Sequence, residues 1–337
     1  MPKAKLIKTA NYIIKILIIF LSFGFIGYRL FCKEDLAGLS NGLLMIVSEP
    51  YAIAILAMVL LLMLCNWSVE SLKWQYLVRK IEQVSFRKSF MAVWAGLTIG
   101  SFTPYRTGEY FGRAFILSKA NRWEGVFITF TGSLGQLLAT LLFGGIAGFL
   151  FVFSLQNGPA ADNLSVGYIV AGVATMLALA VFVLYFRISF LKTLFQKLIP
   201  ARFQRFRAHF DVYSYYSFLE LLTAFVFSVF RYVIFSIQFY ILMRLCNIDI
   251  PLTDGLMVVS CIFLAMSAIP TFALSEIGVR GSVSILLLEL YFENLSQHPE
   301  GLASAAVLAS FLIWFINLII PALIGVIFVF RLKFFRN

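Results

Sequence analysis

The feature that most constrains this chain is a series of apolar stretches, each long enough to cross a lipid bilayer. A spanning α-helix needs about 20 consecutive, mostly apolar residues. Stretches of this kind occur at 12–31, 51–72, 125–153, 166–186, 218–243 and 302–330. The chain is 61% hydrophobic and 13% charged, whereas soluble domains are about 25% charged. This pattern predicts an all-α polytopic membrane protein and excludes a cytosolic enzyme or a secreted disulfide-rich domain.

The distribution of basic residues predicts how the chain is oriented. Lys and Arg accumulate on the cytoplasmic side of membrane proteins, so the net charge of +11 indicates topology and no nucleic-acid partner. No small-x-small cleavage site follows 12–31, which we therefore interpret as a retained signal-anchor helix. We predict an integral protein of the bacterial cytoplasmic (inner) membrane, with both termini in the cytoplasm.

Two further apolar stretches are too short to span, and they run into Pro104 and Pro270. Each is followed by a second short helical stretch, which predicts re-entrant hairpins at about 89–118 and 255–291. If both stretches crossed the membrane fully, the long basic loop 187–217 would lie outside the cell, against the positive-inside rule. We therefore predict a single membrane domain over 1–337, with six full transmembrane helices and two re-entrant helical hairpins.

The two predicted hairpins share a motif. Ser-x-x-Pro ends the first half of each hairpin, and Glu and Arg follow four residues apart, a spacing that places them on one helix face. The motif comprises Ser101, Pro104, Glu109 and Arg113 in the first hairpin, and Ser267, Pro270, Glu276 and Arg280 in the second. Because proline ends the entering half-helix, Pro104 and Pro270 mark the hairpin tips. Broken helices entering from opposite sides are typical of an inverted-topology repeat.

Several charged side chains fall in the predicted membrane interior. They are Arg106, Glu109, Arg113, Arg231, Glu276 and Arg280. The arginines exceed the carboxylates by about two charges, and each uncompensated charge at this depth costs at least ~2.5 kcal/mol. Arginine and helix N-termini both suit phosphate oxygens. We interpret these six residues as the binding site for an anionic or zwitterionic lipid headgroup, or another phosphate-bearing amphiphile, that is moved between leaflets.

Other interpretations of the same residues stay open. Glu109 with Arg113, and Glu276 with Arg280, also fit static ion pairs that only fix the hairpins, and Arg106 and Arg113 also fit a shallow position at the interface. A second candidate function is an enzyme, or a subunit of one, acting on a lipid-linked substrate such as a polyprenyl phosphate or an aminoacyl-phospholipid. A third is a scaffold that recruits a separate lipid-modifying enzyme.

No catalytic or metal-binding motif occurs in the chain. We therefore assign no catalytic residue, no metal and no cofactor, and we favour a transporter over an enzyme. A homo-oligomer and a disulfide between Cys32 and Cys246 both stay open.

Two features belong to the predicted cytoplasmic side. The 187–217 segment interleaves Phe and Leu with basic residues, which is typical of an amphipathic helix on an anionic leaflet. Glu70 and Lys73, three residues apart at the inner end of the second span, are predicted to form an interfacial ion pair.

The hairpin sequences resemble the signatures of a known family. The run from Pro104 through Arg106, Gly108 and Glu109 to Arg113 resembles the first signature of the lysylphosphatidylglycerol synthase transmembrane family, also called the flippase-like domain family. The Ile269-Pro270 turn followed by Gly278-Val279-Arg280 resembles the second, and the likeness extends over about 10–330.

This resemblance implies a membrane domain that moves aminoacylated phosphatidylglycerol between leaflets. We expect a stand-alone membrane domain without the soluble synthase domain that some members carry. In the second signature this chain departs from the family, which commonly has an acidic residue after the Gly-Val-Arg triplet. Here Glu276 precedes the triplet and Gly281 follows it.

Overall fold

The computed structural model describes residues 50–101, 103, 106–157, 164–198, 207–269 and 275–330. The predicted first span, both hairpin tips at Pro104 and Pro270, and Cys32 lie outside the described residues. Within these ranges the regular structure consists of helices and contains no strand. The α-helices are α1 (Ala52–Val78), α2 (Phe86–Gly100), α3 (Gly108–Ala114), α4 (Arg122–Ser154), α5 (Leu164–Phe186), α6 (Ser189–Leu198), α7 (Phe218–Leu245), α8 (Leu252–Ala268), α9 (Ser275–Asn294), α10 (Leu302–Trp314) and α11 (Ile320–Val329).

Five helical segments are long and apolar enough to cross a membrane. They are Ala52–Val78, Arg122–Ser154, Gly167–Phe186, Phe218–Leu245 and Leu302–Val329, the last of which joins α10 to α11 through a π-helical turn, Phe315–Ile319. These segments correspond to five of the six predicted spans. They confirm the prediction of an all-α polytopic membrane protein.

Helices α2 and α3 form an antiparallel pair whose close approach depends on glycine. A Cβ atom placed on Gly112 would lie 2.6 Å from the Cα atom of Gly96, and one placed on Gly108 would lie 2.6 Å from the carbonyl oxygen of Ile99. Side chains at these positions would push the two helices apart. At 1.5 Å per residue α2 is about 22 Å long and α3 about 10 Å, less than the ~30 Å hydrocarbon core of a bilayer.

Helices α8 and α9 form a second antiparallel pair. At the end of the pair where α8 begins and α9 finishes, the hydroxyl of Tyr291 donates a hydrogen bond of 2.6 Å to the carboxylate of Asp254. Helix α8, with 17 residues, is also shorter than a full span, whereas α9 has 20 residues. Asp254 lies near the start of α8 and Tyr291 near the end of α9, so the two helices run in opposite directions.

The two helix pairs open towards opposite ends of the bundle. At one end the carboxylate of Glu82, between α1 and α2, binds the chain that follows α3. At the same end Glu220, near the start of α7, pairs with Lys80 at 2.7 Å. At the other end the side-chain amide of Asn294 donates to the carbonyl oxygen of Ser154 at 3.1 Å. The α2–α3 pair therefore opens at the end where α1 finishes, and the α8–α9 pair opens at the end where α4 finishes.

Basic residues divide unequally between these ends. Among the described residues, those at the α1–α2 end are Arg79, Lys80, Arg87, Lys88, Lys119, Arg122, Arg187, Lys192, Lys197 and Arg207. In the same described ranges, the other end carries Arg244 together with Asp249, Asp254, Glu289, Glu293 and Glu300. Lys119 and Arg122 lie on the basic side because α3 returns to the end at which α2 began.

The described residues of the predicted amphipathic segment 187–217 form two short helices with different surroundings. Helix α6 exposes Phe190 and Leu198, whereas the 3₁₀ helix Ala208–Ser214 buries Phe210 and stacks it on Phe127 at 4.5 Å. Helix α6 therefore has the exposed apolar side chains expected of a helix that lies on a membrane surface. The 3₁₀ helix instead packs against α4.

Glu82 fastens the α2–α3 pair to the end of α1. Its carboxylate accepts backbone N–H groups from Lys119 at 2.7 Å and from Ala120 at 2.9 Å, and it also binds Ser118. Partial burial by itself raises the pKa of Glu82, but the hydrogen bonds from Ala120, Lys119 and Ser118 lower it by more. The net effect is a fall in the pKa from 4.5 to about 2. The charged carboxylate is thus the form that the folded chain stabilises.

This pKa shift predicts a pH-dependent contribution to stability. Because the pKa is lowered in the folded chain, the contribution is complete above pH 4.5 and disappears as the pH falls towards 2. We expect Glu82→Gln to lower the thermal unfolding temperature at pH 7, and we expect its difference from the wild type to shrink between pH 4.5 and pH 3. Scanning fluorimetry in detergent across this pH range measures the unfolding temperatures of both proteins. A difference that is constant with pH would contradict the role assigned to the carboxylate.

Candidate functional site

A cavity of about 420 Å³ lies inside the bundle between the two helix pairs. All six charged residues predicted from the sequence line it, namely Arg106, Glu109, Arg113, Arg231, Glu276 and Arg280. They come from α7, α9, α3 and the turn before α3, so the fold brings together residues that are up to 174 positions apart in the sequence (106 to 280). Glu70 and Lys73 of α1 also line the cavity.

Glu70 is the centre of the larger ionic cluster. One of its carboxylate oxygens accepts from Arg113 Nη1 at 2.5 Å, and the other accepts from Arg231 Nη1 at 2.6 Å and from Lys73 Nζ at 2.8 Å. Glu70 is 4% exposed and Lys73 is 1% exposed. The interfacial position predicted for this pair is wrong, although the pair itself forms. Helix α1 continues to Val78, and α3 and α7 cover the face that carries Glu70.

Arg231 is held near the middle of α7 by three side chains of neighbouring helices. Besides Glu70, it donates from Nε to the amide oxygen of Asn66 at 3.0 Å and from Nη1 to that of Gln136 at 3.3 Å. Its guanidinium also lies 5.2 Å from the centre of the Trp67 ring, within the range of a cation–π contact. The two amides were not found from the sequence because a neutral side chain in an apolar helix gives no charge signal.

A second cluster joins the two helix pairs. Arg106, just before α3, donates to a carboxylate oxygen of Glu276 on α9 at 2.6 Å, and the other oxygen of Glu276 accepts from Arg280. The backbone of Arg106 has a φ of 52°, a left-handed conformation that costs about 1–3 kcal/mol in a residue other than glycine. Both predicted pairs, Glu109 with Arg113 at 3.1 Å and Glu276 with Arg280, are present. The bridge from Arg106 to the opposite pair was not predicted.

Arg113 and Arg280 lie deep inside the protein. Arg113 is 5% exposed and binds Glu70, so it does not extend towards the end of the bundle. Arg280 is 4% exposed, and its guanidinium carbon lies 5.8 Å from the ring centre of Phe235 and 5.9 Å from that of Phe263. The Nε and Nη1 atoms of Arg280 have no hydrogen-bond partner among the residues that the structure describes.

The described residues of the cavity carry more positive than negative charge. Five cations, including Lys73, face three carboxylates, including Glu70, which leaves an excess of two positive charges. Buried charges require close partners to offset the loss of hydration. The arrangement suits an anion that accepts hydrogen bonds. No group of three His, Cys, Asp or Glu side chains in the described ranges is placed to hold a metal ion.

The fold and this cavity define a polytopic helical membrane protein with a cavity lined by ionic side chains. The chain belongs to the family described as the lysylphosphatidylglycerol synthase TM region, whose model matches residues 12–325. The family resemblance noted in the hairpin sequences is thereby confirmed, and it indicates a role connected with membrane lipids. Comparison with curated proteins and with solved structures gave no match.

The geometry around Glu70 predicts a strong effect on stability. Glu70→Gln keeps the side-chain shape but leaves Lys73, Arg113 and Arg231 without their shared carboxylate. Breaking a buried ion pair in this way costs about 3–5 kcal/mol. We expect a large fall in the thermal unfolding temperature, measured in detergent, while Glu300→Gln at an exposed position has no effect. A second change, Lys73→Met, removes one cation and should recover part of the loss. Unchanged stability of Glu70→Gln would contradict the central role of this carboxylate.

Proposed function

We propose that this protein binds the phosphate-bearing headgroup of a membrane lipid in the cavity and moves the lipid between leaflets. The observation that supports this most directly is the excess of two positive charges among the described cavity residues, inside an otherwise apolar bundle. A phosphate group offsets this excess and accepts hydrogen bonds from arginine in its preferred geometry. Family membership supports the same proposal, since it connects the chain with lipids.

The size of the cavity is consistent with a headgroup as the bound part of the lipid. A volume of about 420 Å³ falls in the range of small-molecule sites, roughly 300–1,000 Å³. Two long acyl chains would not fit in it together with the headgroup. In our proposal the acyl chains stay in the surrounding bilayer while the headgroup passes through the protein.

The proposed transport uses the two helix pairs as re-entrant hairpins of an inverted repeat. Their open ends lie at opposite ends of the bundle. The α2–α3 end carries the excess of basic residues, which supports a cytoplasmic position for it by the positive-inside rule. The basic residues near both ends of the sequence support cytoplasmic termini by the same rule, and we propose the bacterial cytoplasmic (inner) membrane as the location. Access alternates when one repeat moves against the other. The Arg106–Glu276 bridge joins the repeats, and the lipid phosphate would compete with Glu276 for Arg106.

This topology predicts which residues react from the same side of the membrane. In a cysteine-free background we would introduce single cysteines at the exposed positions Gln83, Lys119, Thr253 and Gln297. We expect Gln83→Cys and Lys119→Cys to react with an impermeant thiol reagent from the cytoplasmic side, and Thr253→Cys and Gln297→Cys from the other. Labelling of Gln83→Cys and Lys119→Cys from opposite sides would contradict a re-entrant α2–α3 hairpin.

Removal of a cavity arginine is expected to abolish transfer without unfolding the protein. Arg280→Gln leaves Glu276 paired with Arg106, so no carboxylate loses its only cation. We expect the variant to keep a wild-type unfolding temperature and to move a fluorescent phospholipid at least about tenfold more slowly in reconstituted vesicles, since charge-assisted hydrogen bonds contribute roughly 1.5–3 kcal/mol each. Arg244→Gln, which removes an exposed arginine outside the cavity, is the matched control and should transfer at the wild-type rate.

Lipid transfer by Arg280→Gln at the wild-type rate would contradict our assignment of the cavity as the binding site.

The same vesicles also test the second candidate function, an enzyme acting on a lipid-linked substrate. If purified protein converted a labelled lipid to a new product and moved none between leaflets, that outcome would favour the enzyme. The structure gives the enzyme no specific support, because each intramembrane carboxylate of the cavity is paired with arginine.

A further inference from the structure

The last span is interrupted by a π-helical turn that places an asparagine in the cavity. The turn, Phe315–Ile319, lies between α10 and α11, and Asn317 lies in its middle. Pro321 follows four residues later and has no N–H to donate to the carbonyl of Asn317, which is a known cause of a local break in helix geometry. Such π-helical turns often occur at functional sites. Asn317 lines the same cavity as the six charged residues.

The orientation of the Asn317 amide follows from its hydrogen bond. Its Nδ2 atom donates to the carbonyl oxygen of Ile313 at 3.3 Å. A carbonyl oxygen can only accept, so the NH₂ group must face Ile313 and the Oδ1 atom must face away from it. Asn317 is 6% exposed, and within the described part of the chain Oδ1 has no hydrogen-bond partner.

Asn317 differs in this respect from the other amides of the cavity. The side-chain oxygens of Asn66 and Gln136 both accept from Arg231. The oxygen of Asn317 is instead a buried acceptor with no described donor, and such a group is costly until a donor reaches it. A ligand that enters the cavity can supply that donor.

Arg280 presents the opposite requirement in the same cavity. Its Nε and Nη1 groups are buried donors that lack a partner in the described ranges. A ligand that satisfies both residues must carry a hydrogen-bond acceptor for Arg280 and a hydrogen-bond donor for Asn317. An anionic oxygen would satisfy Arg280, and an N–H or O–H would satisfy Asn317.

From this pairing we propose that Asn317 is a specificity-determining residue, whose Oδ1 accepts a hydrogen bond from the lipid headgroup while Arg280 binds the phosphate. The inference rests on the proposed function and narrows the substrate to phospholipids whose headgroup carries an N–H or O–H donor. A quaternary ammonium headgroup has a phosphate but no such donor. It would satisfy Arg280 and leave Asn317 unsatisfied.

A series of lipids that differ only in methyl groups tests this directly. Native mass spectrometry of the purified full-length protein would compare dioleoyl phosphatidylethanolamine, its N-methyl and N,N-dimethyl forms, and dioleoyl phosphatidylcholine. The first three retain at least one N–H donor, so we expect their affinities to agree within about twofold. Phosphatidylcholine has no such donor, so a buried acceptor stays without a partner when it binds. We therefore expect it to bind about tenfold more weakly than the other three lipids.

Variants of Asn317 separate hydrogen bonding from packing. Asn317→Leu keeps the branched shape of the side chain but removes the acceptor, and we expect it to bind phosphatidylcholine and phosphatidylethanolamine equally well. Asn317→Asp keeps an acceptor and should retain the preference. Asn294→Leu is the matched control, since the amide oxygen of Asn294 is likewise without a partner among the described residues but lies outside the cavity, and it should retain the wild-type preference.

The outcomes distinguish this inference from the function on which it rests. If the wild type bound all four lipids equally, the role of Asn317 would be overturned while a phospholipid site remained. A preference that persisted in Asn317→Leu would overturn it as well. Absence of binding for every lipid would contradict the proposed function itself.

Discussion

The interior of this bundle depends on the shared carboxylate of Glu70. It binds Lys73 on its own helix, Arg113 on α3 and Arg231 on α7, so it joins three separate helices at one point. In a bilayer, apolar side chains gain little by leaving lipid for protein, and polar contacts between helices therefore help to hold the bundle together. Because this one carboxylate lies close to three cations, it offsets part of their charge and helps to keep them in an apolar setting.

The ionic groups of the cavity are arranged in two linked but distinct clusters. Glu70 and Glu109 serve one cluster, whereas Glu276 alone serves Arg106 and Arg280 in the other. The second cluster includes the contact between the two helix pairs. Because Glu276 has to balance two arginines, this part of the cavity is where an incoming anion meets the least competition from protein carboxylates. It is also where Arg280 retains donors without a described partner.

The α2–α3 pair shows how backbone packing supports this chemistry. Gly112 lies directly against Gly96, and the residue after Gly112 is Arg113. The close approach of the two helices thus helps to place Arg113 within 2.5 Å of Glu70. Glu82 fastens the same pair at its outer end through the backbone of 118–120. The position of a buried charge is in this way determined by contacts at both ends of a short helix.

The sequence by itself determined the class of protein, five described spans and the six charged residues that line the cavity. These properties are local, because a spanning helix is encoded in one apolar run and a charge within such a run is conspicuous. The exact end of a helix is less clearly encoded: the second span was predicted to end at 72, which placed Glu70 at the interface, whereas α1 ends at Val78. Only the tertiary structure decided that Glu70 is shared by three cations, that Arg106 reaches Glu276, and that Asn66, Gln136 and Asn317 face the same cavity. Contacts between distant helices depend on how their faces pack, and a neutral amide shows nothing of this until its neighbours are in place.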